Sequence, residues 1–294
     1  MKRTSFIVLM LSMCVASVGC LAKSSPQIIT DDDIIQHFCS PANNINWVIG
    51  DDECLRITTI KPDQSPSVDK LIVYLHGDGS GAKRPSDYLQ RSVEHISQDN
   101  VAHIILMRPG YFDSTGHYST GKSHRNSWRA TSYNAHNVKE IAAVIRKLKT
   151  FHQAEQVILV GHSGGAALAA LILGKHPDVA DGAVLAACPC DVNKWVEMAG
   201  TRSGRGALSP IDYVDHIKPD VAVIALTGTL DNNTRPPLAI EYIEKLRHTT
   251  ASNHRAVNKS SIRKYIGVKG QTHNGVARSP QFYQAINELI ADSQ

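Results

Sequence analysis

Val157-Ile158-Leu159-Val160-Gly161-His162-Ser163-Gly164-Gly165-Ala166-Ala167-Leu168-Ala169-Ala170-Leu171 is the stretch that decides how this chain is read. Four consecutive β-branched or leucine residues bounded by glycine make a short strand that is apolar on both faces. Ala166 to Leu171 is a run of strong helix formers. Between them stands Gly161-x-Ser163-x-Gly165, which leaves room only for a tight strand-to-helix turn. G-x-S-x-G alone is a weak signal, but a strand entering it and a helix leaving it make it a specific one. Glycines Gly161 and Gly165, flanking His162 and Ser163, let the two elements approach closely, and such a turn lifts the serine hydroxyl above the sheet.

The same alternation extends in both directions. Leu71 to Leu75, Val101 to Met107, Gly182 to Ala186, Val221 to Leu226 and Ile262 to Val268 read as further buried strands, and Ile45 to Ile60 as antiparallel strands at the start. Ser86 to Ser97, Asn137 to Thr150, Gly164 to Lys175, Pro236 to Arg247 and Gln281 to Ala291 carry apolar residues at helical spacing. Strands alternating with helices demand crossover connections. The expected fold is therefore α/β, a mostly parallel twisted sheet with helices on both faces. No repeat or Pro/Ser-rich linker divides the chain, so residues 23–294 read as a single domain. Arg108 to Ser132, irregular and just after a strand, is a candidate wall of a site, because ligands in open α/β sheets bind beyond the carboxyl ends of strands.

A serine hydroxyl becomes a nucleophile when a base takes its proton and an acid orients the base. Asp231 follows one strand through Thr227-Gly228-Thr229-Leu230, and His273 follows the next through Lys269-Gly270-Gln271-Thr272. Ser163, Asp231 and His273 occur in the chain order that this turn predicts for a catalytic triad. Asp191, just past Gly182 to Ala186, is the alternative acid. Two backbone N–H groups should receive the developing oxyanion. One belongs to Gly164, after the serine, and the other to Asp78 in the loop His76-Gly77-Asp78-Gly79. His76 itself reads as structural.

That loop also admits a rival. Gly77, Gly79 and Ala82 satisfy G-x-G-x-x-G/A after a strand, the pattern of a dinucleotide site. Pro85 separates these glycines from the next helix, and Glu94 or Asp99 only loosely matches the acidic residue such a site needs. A phosphate-binding P-loop fails because Ala82 and Arg84 replace its second glycine and its Ser or Thr. No cofactor or metal is expected; a metal site on Cys188 and Cys190 lacks a second closely spaced pair.

Of 294 residues, 42% are hydrophobic, which supplies a sizeable core and excludes disorder, collagen and coiled coil. Lys2 and Arg3 precede the apolar run Phe6 to Gly19, a signal-peptide pattern too short to span a membrane, so residues 1–22 read as a leader and the rest as exported. Two processing sites compete. Cys20-Leu21-Ala22 suits a signal peptidase, and Ser17-Val18-Gly19-Cys20 resembles a bacterial lipobox that would anchor a periplasmic lipoprotein through Cys20. Without Lys2 and Arg3 the charge is 29 basic against 27 acidic residues, which excludes a nucleic-acid partner for want of a concentrated basic surface. Cys39, Cys54, Cys188 and Cys190 invite disulfides in an exported chain, with three connectivities open, and Cys188 and Cys190 read equally well as free buried thiols.

These residues together resemble the α/β-hydrolase superfamily from about Leu71 to the C-terminus. Arg108-Pro109-Gly110-Tyr111 with Asp113-Ser114-Thr115-Gly116 is similar to the family's loop after its fourth strand. Val157 to His176 is similar to its nucleophile elbow. Ser209-Pro210-x-x-Tyr213-Val214 with Asp231-Asn232-Asn233-Thr234 is similar to the catalytic domain of prolyl-oligopeptidase-like enzymes, although the length leaves no room for that group's β-propeller. The resemblance implies a serine hydrolase acting on esters, amides or peptides without a cofactor. Ala187 to Pro219, where relatives insert a cap, is minimal and too polar for an interfacial lid. A small or polar ester, thioester or amide is the expected substrate; Arg202 and Arg205 could select a carboxylate but read more readily as ordinary solvated surface. An exported peptidase and a non-catalytic binding protein on the same fold are the alternatives. Oligomeric state is left open.

Overall fold

A computed structural model of the chain describes residues 31–39, 45–61, 68–79, 86–96, 100–122, 132–200, 204, 206–252 and 262–292. The leader with Cys20, Ala82, Arg202 and Arg205 lie outside the described residues.

Eight strands form one sheet. They are β1 (Trp47–Ile49), β2 (Cys54–Ile60), β3 (Lys70–Leu75), β4 (Val101–Leu106), β5 (Gln156–His162), β6 (Gly182–Ala186), β7 (Ala222–Gly228) and β8 (Arg263–Val268). Their order is β1-β2-β4-β3-β5-β6-β7-β8. β1 and β2 pair antiparallel, as do β2 and β4, and every other pairing is parallel. The fold class is the one expected.

Strand periodicity explains why both faces carry a core. In β3, Leu71, Val73 and Leu75 enter one cluster with the helices α2 (Ala135–Phe151), α3 (Gly164–Lys175) and α5 (Pro236–Ser252). Ile72 and Tyr74 point the other way, into a second cluster with Phe282, Ile286 and Leu289 of α6 (Pro280–Asp292). β5 divides in the same manner, Val157 and Leu159 against Ile158 and Val160. A strand covered on both faces has no polar side to show, hence its unbroken apolar run. α3 is buried from Gly164 through Gly174. It is apolar all round, the condition for a helix with no solvent face.

Several boundaries differ from the sequence reading. Ser86–His95 is a 3-10 helix whose buried residues, Ser86, Leu89 and Ser92, recur every three positions, matching three residues per turn. β7 extends to Gly228 because Thr227 and Gly228 pair with Gly267 and Val268. α1 (Asp31–Phe38), α4 (Val192–Met198) and a 3-10 helix at Pro210–His216 were not anticipated, being short and tied down by tertiary contacts. Cys39 is bonded to Cys54 and Cys188 to Cys190. Among the described residues no helix is long and apolar enough to cross a membrane.

Candidate active site

Ser163 occupies the turn between β5 and α3 with φ 54° and ψ −119°. Left-handed backbone is costly for a residue with a Cβ, and it persists here because the surroundings dictate it. A Cβ on Gly165 would lie 1.9 Å from the Leu75 carbonyl oxygen, and one on Gly161 2.4 Å from Cα of Ala166. The G-x-S-x-G spacing is thus a steric requirement of helix against strand. The Ser163 N–H donates to the Ala186 carbonyl at 2.8 Å. The next donor, the Gly164 N–H, belongs to the first turn of α3, where the helix supplies no acceptor.

The loops after β7 and β8 meet this serine. His273 Nε2 lies 2.9 Å from Ser163 Oγ, and His273 Nδ1 lies 2.9 Å from Asp231 Oδ2. A carboxylate only accepts, so Nδ1 carries the proton and the Nε2 lone pair faces the serine. Asp231 is buried, yet all its acceptor positions are used. Oδ1 takes the N–H groups of Asn233 and Thr234 at 2.8 and 2.9 Å, and Oδ2 takes the Thr234 hydroxyl at 2.7 Å. Burial alone would raise its pKa, but the hydrogen bonds from His273 and Thr234 outweigh that and hold it below the usual carboxylate range. Asp191 is occupied elsewhere: it caps α4, accepting the Lys194 N–H at 3.0 Å.

The loop after β3 reaches the same rim. The Asp78 carboxylate accepts from Arg108 Nη2 at 2.7 Å and from the Tyr133 hydroxyl. Arg108 is buried; it also donates from Nη1 to the His76 carbonyl at 2.8 Å and from its backbone N–H to His76 Nε2 at 3.1 Å. His76 Nδ1 in turn donates to Gly77 O at 3.0 Å. Burial, with the nearby Arg108 charge, lowers the His76 pKa to about 3, so the ring is a neutral brace, as its sequence position suggested. Gly164 packs onto this loop, since a Cβ there would stand 2.2 Å from Asp78 Oδ1. Of the candidate wall Arg108–Ser132, residues 123–131 lie outside the described residues, while Arg108 and Ser132 both donate to the Asp78 carboxylate.

Three contributors escaped the sequence reading. Thr234 bridges acid and base, its Oγ1 3.0 Å from His273 Nδ1 as well as bonded to Asp231. Asn233 brings Nδ2 to 3.3 Å from His273 Nε2, and its backbone carbonyl accepts from the Trp195 indole at 3.0 Å. Tyr88 bonds both Gly77 and His162. Only the position of Thr234, three residues beyond the acid, was a local signal. Among the described residues one trio of metal-ligating side chains converges, Asp52, His136 and Glu140. Oε2 of Glu140 there already accepts the N–H groups of Asp51, Asp52 and Glu53 at 2.9 to 3.0 Å, and the trio shares no residue with the site.

Comparison with known proteins agrees with this architecture. The family described as serine aminopeptidase, S33, matches residues 67–267. No curated protein matches the sequence significantly. Est1E of Butyrivibrio proteoclasticus with bound ferulic acid superposes with a TM-score of 0.59 at 15% identity, over 84% of this chain and 98% of that one. An esterase of Pyrococcus furiosus gives 0.59 at 15%, over 84% and 88%. The acylaminoacyl peptidase of Pyrococcus horikoshii gives 0.60 at 14%, over 83% of this chain but 40% of its own. At these identities the likeness is one of fold.

Proposed function

Because the chain belongs to the serine aminopeptidase S33 family of α/β hydrolases, we propose that it is a serine hydrolase that cleaves a small or polar ester, thioester or amide through Ser163, His273 and Asp231. The observation that supports this most is the unbroken hydrogen-bonded line from Ser163 Oγ through His273 to Asp231, 2.9 Å at each step.

His273 Nε2 takes the hydroxyl proton as Ser163 Oγ bonds to the substrate carbonyl carbon. Asp231 holds the ring in the tautomer that can do this and steadies the imidazolium. The N–H groups of Gly164 and Asp78 receive the oxyanion; such a donor is typically worth on the order of a hundred- to a thousandfold in rate. The bond to the leaving group then breaks, and His273 returns the proton to the departing oxygen, sulfur or nitrogen. Water enters and gives His273 a proton while its oxygen attacks the acyl carbon. Collapse restores Ser163 and releases the carboxylic acid. No cofactor enters the sequence.

The ester reading is supported by the Pyrococcus furiosus esterase, matched over 88% of its length. A second reading, a peptidase, is favoured by the family's own description. Parallel assay on ester and aminopeptide panels separates the two. Ser163→Ala is the test of the shared chemistry: the variant should lose turnover of an activated acetyl ester and labelling by a fluorophosphonate. Turnover at the wild-type rate would refute the assignment, and a wild type that is never labelled would favour a binding protein. The two disulfides support export, with residues 1–22 as leader and 23–294 as one domain.

A further inference from the structure

His162, the residue before the serine, faces the loops on either side of it. Its Nε2 lies 2.9 Å from the His273 carbonyl oxygen. Its Nδ1 is hydrogen-bonded to the Tyr88 hydroxyl, and that hydroxyl lies 3.3 Å from the Gly77 backbone nitrogen. Every donor in this chain is fixed by its ends. A carbonyl oxygen can only accept, so Nε2 carries the His162 proton and Nδ1 is bare. The Tyr88 hydroxyl must therefore donate to Nδ1, which leaves its lone pair for the Gly77 N–H. The line runs Gly77 to Tyr88 to His162 to the His273 backbone without a reversed or missing proton.

We propose that Tyr88 and His162 are positioning residues that tie the oxyanion loop, the serine turn and the base-bearing loop into one unit. The inference rests on the triad reading above and adds two residues that touch no reacting atom. Three strands, β3, β5 and β8, deliver these loops, and no covalent link joins them at the rim. Near-attack geometry tolerates little error: a misplacement of about 1 Å can cost on the order of a hundredfold in rate. Burial, with the neighbouring His273 charge, lowers the His162 pKa to about 4 and keeps the ring neutral, the state in which Nδ1 can accept.

The test compares His162→Leu, His162→Asn, His162→Gln and Tyr88→Phe in the full chain. Each is measured for kcat and KM on an activated acetyl ester, for the rate of fluorophosphonate labelling, and for thermal midpoint. Leu removes both links, Asn keeps an acceptor for Tyr88 but falls short of His273, and Gln extends an amide N–H to where Nε2 stood. His162→Leu and His162→Asn should lower kcat by about 30- to 100-fold with KM within about threefold, and labelling should slow in proportion. His162→Gln should recover about tenfold of that loss, and Tyr88→Phe should lower kcat by about tenfold. The proposal is overturned if His162→Gln is no better than His162→Leu, if His162→Leu and Tyr88→Phe stay within about twofold of wild type, or if KM rises while kcat holds. Should the His162 variants fail to fold, Tyr88→Phe alone decides on the same thresholds. Retained activity in Ser163→Ala would instead sink the triad reading, so the two failures are distinct.

Discussion

The Thr234 hydroxyl donates at 2.7 Å to the same Asp231 oxygen that receives the His273 Nδ1 proton at 2.9 Å. Thr234→Val keeps the shape and removes that donor. Asp231 then loses one of the bonds that hold its pKa down, so its carboxylate is protonated at higher pH than in the wild type. Ionised Asp231 orients His273 and steadies its imidazolium, and weakening that anchor should lower kcat at neutral pH by about three- to tenfold. A pH–rate profile superposing on the wild type would contradict this.

Arg108→Met should destabilise the fold by about 3 kcal/mol, because it leaves the Asp78 carboxylate without its guanidinium partner. Adding Asp78→Asn removes the stranded charge and should recover part of the loss. Urea melts of the two singles and the double measure the coupling, and strict additivity would show that the pair is independent.

Gly165→Ala forces a Cβ toward the Leu75 carbonyl oxygen, which stands 1.9 Å from its ideal position. Backbone cannot yield as a flexible side chain would. The expected cost is about 3 kcal/mol or more, seen as poor soluble yield or a strongly lowered thermal midpoint.

Acid should weaken the protein well above the carboxylate range. His76 is lowered to about 3, and His103 and His162 to about 4, in each case chiefly by burial. Around pH 5 all three are neutral when folded and mostly charged when unfolded, so unfolding takes up protons. Stability is then fully present above the unfolded value near 6.5 and falls toward the folded values, by about 1.4 kcal/mol per pH unit for each ring. Denaturant midpoints that stay flat from pH 6.5 to 5 would rule the idea out.

Removing the Cys39–Cys54 bridge, which spans 15 residues, should cost about 3 kcal/mol by loop entropy. The Cys188–Cys190 bridge spans 2 residues and should cost only about 1.2 kcal/mol on the same reasoning. Thermal midpoints of the two double-serine variants should rank accordingly.

Ser163, Asp231 and His273 were legible because each follows a strand whose apolar run announces itself, and the parallel order then carries all three to one rim. The antiparallel start at Ile45 to Ile60 was legible for the same reason. The bracing roles of Tyr88, Arg108 and Thr234 were not. A buried arginine looks like a surface one until Asp78, Ser132 and Tyr133 arrive from other segments, and the tyrosine hydroxyl acquires meaning only beside His162. Ser86–His95 was misread because a spacing of three resembles helical spacing when few residues are apolar. Asp191 drew notice for its place after a strand, where a helix cap and an orienting acid look alike in one dimension.

α3 has no side that meets water, and the nucleophile stands immediately before its first turn. Selection therefore has little freedom to adjust the attacking group, since any change there is felt through the whole interior. The loops after β4 and β6 hold no member of the Ser163–His273–Asp231 line. A lineage built on this plan would keep one reaction for a very long time while exchanging the molecules it acts upon.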